Sequence, residues 1–126
     1  MQRELRFRAW TEIEKYMAYQ GHPDLETLYS FMFHFADFKD CLIMQSIGIL
    51  DKHGDEIFEG DYIKCTGGLW LDDYPKEGQI IFNKHTASFV MRGKNSFGVF
   101  MNMSLGFSDG TEIEVIGNIY ENPELL

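Results

Sequence analysis

Cysteine, positive charge and long apolar runs are all scarce in this chain, and each scarcity excludes something. Cys41 and Cys65 are the only cysteines and show no CxxC spacing. A disulfide framework and a cysteine zinc site are therefore not expected; two reduced, packed thiols in a reducing cytosol are. Lysine and arginine number 11 against 20 aspartates and glutamates, a formal charge of −9. An acidic chain repels a phosphate backbone, so non-specific nucleic-acid binding is disfavoured and only a local basic patch would support it. No stretch approaches the roughly 20 apolar residues that span a bilayer. The opening Met1-Gln2-Arg3-Glu4-Leu5-Arg6 has no apolar signal core. The expectation is a cytoplasmic protein with no membrane association. Internal repeats and low-complexity segments are missing too.

Catalytic signatures are lacking in the same way. His22, His34, His53 and His85 are scattered, with no HExxH and no cysteine at zinc spacing. There is no G-x-S-x-G elbow, and Gly67-Gly68 lacks the rest of a phosphate loop. Asp51, Asp55, Glu56, Glu59 and Asp61 lie close together, but Gly54 is the fourth residue of that run, where an EF-hand loop needs its glycine sixth. Turn chemistry accounts for Asp51 and Asp55, and a corner for Asp61. No catalytic residue, metal ligand or cofactor is assigned, and an enzyme is the least favoured class of function.

What the chain does have is aromatic and β-branched residues in short runs. At 126 residues and 15% aromatic content it is long enough to bury a core, and disorder is excluded. Arg3 to Trp10 alternates, with Leu5, Phe7 and Ala9 on one face and Glu4, Arg6 and Arg8 on the other, predicting a strand with a solvated charged side. Tyr16 to Tyr19 returns as its partner. Pro23, Asp24 and Glu26 are helix-start signals, and Leu25, Leu28, Tyr29, Met32 and Ala36 follow helical spacing. They predict a helix over residues 23–36, although Tyr29, Phe31, Phe33 and Phe35 also alternate at strand spacing. The stretch from Ile43 to Leu50 is a strand, and Asp51-Lys52-His53-Gly54 turns it into a hairpin. Gly60, in the corner Glu59-Gly60-Asp61, is expected to take a positive φ.

From Asp61 onward the pattern is all β. Strands are predicted over residues 62–66, 79–82, 88–92, 97–103 and 112–116, with a long loop from Gly67 to Gly78 and short turns afterwards. Phe97, Val99, Met101 and Met103 share one face of the fourth. The architecture this supports is mainly β: an N-terminal hairpin and helix layer over residues 1–50, packed on a small SH3-like β-barrel over residues 51–126.

Three blocks resemble a known family. Arg3-Glu4-Leu5-Arg6-Phe7-Arg8-Ala9-Trp10 looks like its R-E-I-K-F-R-A-W opening. Met44-Gln45-Ser46-Ile47-Gly48-Ile49-Leu50-Asp51-Lys52-His53-Gly54-Asp55-Glu56-Ile57-Phe58-Glu59-Gly60-Asp61 looks like M-Q-Y-T-G-L-K-D-K-N-G-x-E-I-Y-E-G-D. Glu114-Val115-Ile116-Gly117-Asn118-Ile119-Tyr120-Glu121-Asn122-Pro123-Glu124-Leu125-Leu126 looks like E-V-I-G-N-I-Y-E-N-P-E-L-L. Taken together they resemble the YopX family of phage and prophage proteins, nearly end to end. The departures are Ser46-Ile47 for Tyr-Thr and His53 for Asn. The resemblance implies a phage-derived, cytoplasmic, self-associating protein, and it brings no catalytic residues.

Function is accordingly expected to be binding. Trp70, Tyr74 and Pro75 on the long loop are the candidate ligand or partner contacts, and Phe31, Phe33 and Phe35 the candidate oligomer interface. The favoured partners are other copies of the chain and a host or phage protein. The alternative is nucleic-acid binding through Arg3, Arg6, Arg8, Lys64, Lys84 and Arg92. Against it, the simplest reading of Arg3, Arg6 and Arg8 is a solvated strand face answering nearby carboxylates.

Overall fold

The computed structural model describes residues 5–21, 41–65, 74–105 and 112–125. It divides into two compact units, residues 1–48 and 49–126. Both are built of antiparallel strands. Among the described residues the only helical element is a single 3-10 turn, Pro123–Leu125. The helix expected over residues 23–36 lies outside the described residues.

In the first unit β1 (Phe7–Thr11) is flanked by β2 (Tyr16–Tyr19) and β3 (Cys41–Leu50), with Ala9 opposite Ala18 on one side and Ile43 on the other. Two alanines meeting across the ladder leave room for Phe7, Cys41 and Ile43 to pack over them. The turn into β2 is tight: Lys15 has φ 58° and donates its N–H to the Thr11 carbonyl at 2.8 Å. One expectation fails here. Arg8 was assigned to a solvated face but is 2% exposed. Alternation identifies a half-buried strand, whereas β1 is a central strand with four of its five residues buried. β3 runs past the end of this unit, and β4 (Glu56–Phe58) follows it in the chain.

The second unit holds a five-stranded sheet curled into a half-barrel, in the order β8-β7-β6-β5-β9. Its strands are β5 (Asp61–Cys65), β6 (Glu77–Asn83), β7 (Ser88–Lys94), β8 (Phe100–Ser104) and β9 (Ile113–Asn118). Ile57, Ile63, Ile80, Met91 and Ile113 are essentially out of water, each contributing about 1.5–3 kcal/mol by burial. The sequence places all five strands within a few residues of their ends. No ladder joins β8 to β9 among the described residues.

Two backbone approaches shape this sheet. At the corner Gly60 has φ 90°, as the sequence requires. Its N–H donates to the Ile80 carbonyl at 2.9 Å, and its carbonyl accepts from Ile119 N–H at 3.0 Å. Asp61, 2% exposed, closes the same corner by accepting Phe58 N–H at 2.8 Å. Between β6 and β7, Gly78 and Gly93 let the strands come unusually close. A Cβ at Gly78 would overlap the Arg92 carbonyl, and one at Gly93 the Glu77 carbonyl.

Candidate interaction surface

The two outer edges of the five-stranded sheet are treated differently. The β9 edge is closed by side chains and by the turn after β3. Asp51 Oδ2 accepts Val115 N–H at 2.9 Å, and Lys52 N–H donates to the Ile113 carbonyl at 2.9 Å. Asn122 Oδ1 accepts Asn118 N–H at 3.1 Å. The other Asp51 oxygen, Oδ1, holds the turn itself, accepting His53 N–H at 2.9 Å and Asp55 N–H at 2.8 Å. Burial on its own would raise the Asp51 pKa. The three N–H donors of Val115, Asp55 and His53, with the charge of His53, outweigh it and hold the carboxyl below its ordinary value. Lys52 and His53 then bracket Glu114, at 3.6 and 3.5 Å. The carboxylates that suggested a metal site are thus backbone acceptors and surface charges, and the described residues contain no cluster of His, Cys, Asp and Glu fit to hold a metal.

The β8 edge has no such cover among the described residues, and the hairpin it belongs to is the most conspicuous surface of the unit. Its tip is built by Asn95. The Asn95 N–H donates to the Val99 carbonyl at 2.9 Å and its carbonyl accepts Gly98 N–H at 3.0 Å. Its side-chain oxygen accepts from Phe97 N–H and Val99 N–H, both at 3.0 Å. Gly98 supplies the φ of 79° that lets the turn rejoin the ladder as a bulge. A turn so completely bonded holds its side chains in one place, and those it presents are apolar: Phe97 is 73% exposed, Val99 and Phe100 55% each.

Below the tip the face that carries Phe100, opposite the one that carries Val99, is cationic. Lys94 lies directly across from Phe100, and Arg92 across from Asn102. The Lys94 ammonium and the Arg92 guanidinium each sit 5.0 Å from the centre of the Phe100 ring, and Arg92 also donates to Asn102 Oδ1 at 3.2 Å. Cation–π contacts of this exposed kind contribute about 0.5–1 kcal/mol each. The result is an aromatic ring with two cations against it, on a chain with a formal charge of −9.

The residues singled out from sequence fare unevenly. Trp70, Phe31, Phe33, Phe35 and Arg3 lie outside the described residues. Tyr74 is exposed, but Pro75 is buried, its ring lying against Gly93, so it has no face to offer a ligand. Arg6 donates to the Gln20 carbonyl at 3.2 Å, and both Arg6 and Arg8 have partners within the chain. Lys64 faces Glu77 and Glu114 in its two ladders. Lys84 is exposed in the β6–β7 turn. Of the five that are described, only Arg92 belongs to a concentrated surface. Phe100 and Lys94 were missed, because the sequence shows neither which residues lie across a ladder nor where the turn ends. The one available signal was Asn95 and Gly98 spaced as turn residues.

A family model described as YopX protein matches residues 6–126. No curated protein matches the chain. Among solved structures, the chain is similar to protein EF1440 from Enterococcus faecalis, at 25% identity and a TM-score of 0.60, over 99% of each chain.

Proposed function

The chain belongs to the YopX family, and from that premise we propose that it is a non-enzymatic, self-associating binding module whose other partner is a protein. Its setting in this reading is phage-derived and in the bacterial cytoplasm. The observation that carries the proposal is the β7–β8 hairpin, with Phe97 exposed on its bonded turn and Phe100 exposed below it, Arg92 and Lys94 lying against the Phe100 ring. Exposed aromatics on a rigid support cost little ordering entropy on binding, and paired with arginine they are the groups that dominate protein interfaces. The two cations select an acidic rim on the partner. The strand order supports an SH3-like barrel as the finer description of the second unit, with the hairpin as its recognition element. Tyr74, exposed in the segment that leads into β6, is a second contact in this reading.

Nucleic acid is the competing ligand, since bases stack on aromatic side chains beside cations. The carboxylates opposite Lys64 and the overall charge of −9 argue against it. A photo-crosslinking side chain placed at Phe97, compared with one at Lys84 on the neighbouring hairpin, separates the two in host cytosol. Discrete protein adducts specific to position 97 and unaffected by nuclease are the expected result. Adducts that disappear on nuclease treatment would transfer the surface to nucleic acid.

A further inference from the structure

We propose that β8 is a pairing edge for a second copy of this chain, joining two five-stranded sheets antiparallel about a two-fold axis at Met101. This rests on the self-association proposed above and names its contact. The argument begins with the phase of the β7–β8 ladder. Asn95 N–H bonds the Val99 carbonyl, and hydrogen-bonded pairs recur every second residue of an antiparallel ladder. Met101 opposite Gly93 and Met103 opposite Met91 are therefore the bonded pairs. Phe100 and Asn102 point their backbone N–H and C=O away from β7. Among the described residues neither has a backbone partner on that side.

Natural edges are blunted by charge, proline, bulges or cover. The β9 edge has cover from Asp51, Lys52 and Asn122. The β8 strand, Phe100-Met101-Asn102-Met103-Ser104, has no charge and no proline, and its ladder runs without a register shift. It is also self-complementary. A two-fold at Met101 sets Phe100 against the partner's Asn102, so the two residues with open backbone groups bond each other twice over. On the other face it sets Met101 against the partner's Met101 and Val99 against the partner's Met103. That continues one apolar row across both chains and covers Val99, which is 55% exposed in the single chain. A two-fold at Asn102 would instead require Ser104, which already has an interaction within the chain. Arg92 and Lys94 stay on β7, one strand back from the axis, so the local positive charge is not forced together.

Two substitutions test this in the full chain, with light scattering coupled to size exclusion at tens of micromolar. Asn102→Pro removes the outward N–H while leaving the β7 ladder, which does not use it, intact. It is expected to weaken self-association about ten- to a hundredfold. Met101→Cys places two thiols across a non-bonded antiparallel pair, about 4.5 Å apart at Cα, within reach of a disulfide. Mild oxidation is expected to give a covalent dimer. The parent chain, with Cys41 half-buried and Cys65 buried, and the exposed control Ser88→Cys are expected to give none. If Asn102→Pro fails to fold by circular dichroism, the disulfide decides alone. A parent chain that is monomeric overturns both this pairing and the self-association on which it rests. A parent oligomer indifferent to Asn102→Pro, with no Met101→Cys disulfide, overturns the β8 edge and leaves self-association standing.

Discussion

Replacing Asp51 should be among the most damaging single changes to the second unit. The side chain is 5% exposed and accepts three backbone N–H groups, two within its own turn and one from Val115 on β9. Hydrogen bonds to a charged group contribute about 1.5–3 kcal/mol each. His53 and Asp55 are exposed, so in Asp51→Ala water takes over much of what they lose. Val115 is only partly exposed and its N–H is stranded at a cost of about 1–3 kcal/mol. The total comes to about 2–4 kcal/mol. At a urea dependence of about 2 kcal/mol per molar, the unfolding midpoint falls by roughly 1–2 M with an unchanged slope. Asp51→Asn keeps the shape but turns an NH2 toward one of the donors, and about 1–3 kcal/mol is expected. The acid dependence is a second readout. Because the folded pKa lies below the ordinary 3.8, the folded state holds fewer protons there. Asp51 stabilises fully above about pH 5 and loses its contribution as pH falls through 3.8 toward the lowered value. The gap between wild type and Asp51→Asn should therefore narrow in acid. A midpoint for Asp51→Ala within experimental scatter of wild type at pH 7, or a gap that does not change between pH 5 and pH 2.5, would refute the account.

Other positions have sharp expectations. Gly93→Ala pushes a methyl into the Glu77 carbonyl and should cost about 1–3 kcal/mol in a urea titration; an unchanged midpoint would mean that β6 and β7 can separate freely. Gly60→Val puts a β-branched residue at φ 90°, with about 1–3 kcal/mol of strain expected as a lowered thermal midpoint. Tyr62→Phe runs the other way. The Tyr62 hydroxyl is buried with no hydrogen-bond partner among the described residues, and burial, then the nearby Glu124 charge, raises its pKa. Removing it should leave stability unchanged or raise it by up to about 1 kcal/mol, and a clear loss would reveal a partner for that oxygen.

The second unit was largely legible in the sequence because its signals are local. Glycine and asparagine mark its turns, and two-residue alternation between them is enough to place strands. The Gly60 corner was readable for the same reason, since only glycine suits that conformation. Arg8 was misread because alternation reports exposure only for a strand with one solvated face, and β1 is central. Asp51 was legible only in part. Its role in the turn follows from its neighbours, but its bond to Val115 spans sixty-four positions and depends on which strand ends up beside which. The Phe100 plate was hidden likewise: its cations come from the facing strand, at a register set by the true length of the Asn95 turn.

The placement of β9 beside β5 has a bearing on how the protein is made. β5 is an inner strand, yet one of its two neighbours comes last in the strand order, after β6, β7 and β8 have been synthesised. At about 5–20 residues per second of translation, the open side of β5 waits several seconds for its partner. During that time Ile63, wholly buried in the finished fold, lies beside an unpaired row of amides. The nascent chain is thus most vulnerable to misassociation between the appearance of Cys65 and that of Ile113, and a ribosome stalled in that interval would hold a sheet lacking one of its seams.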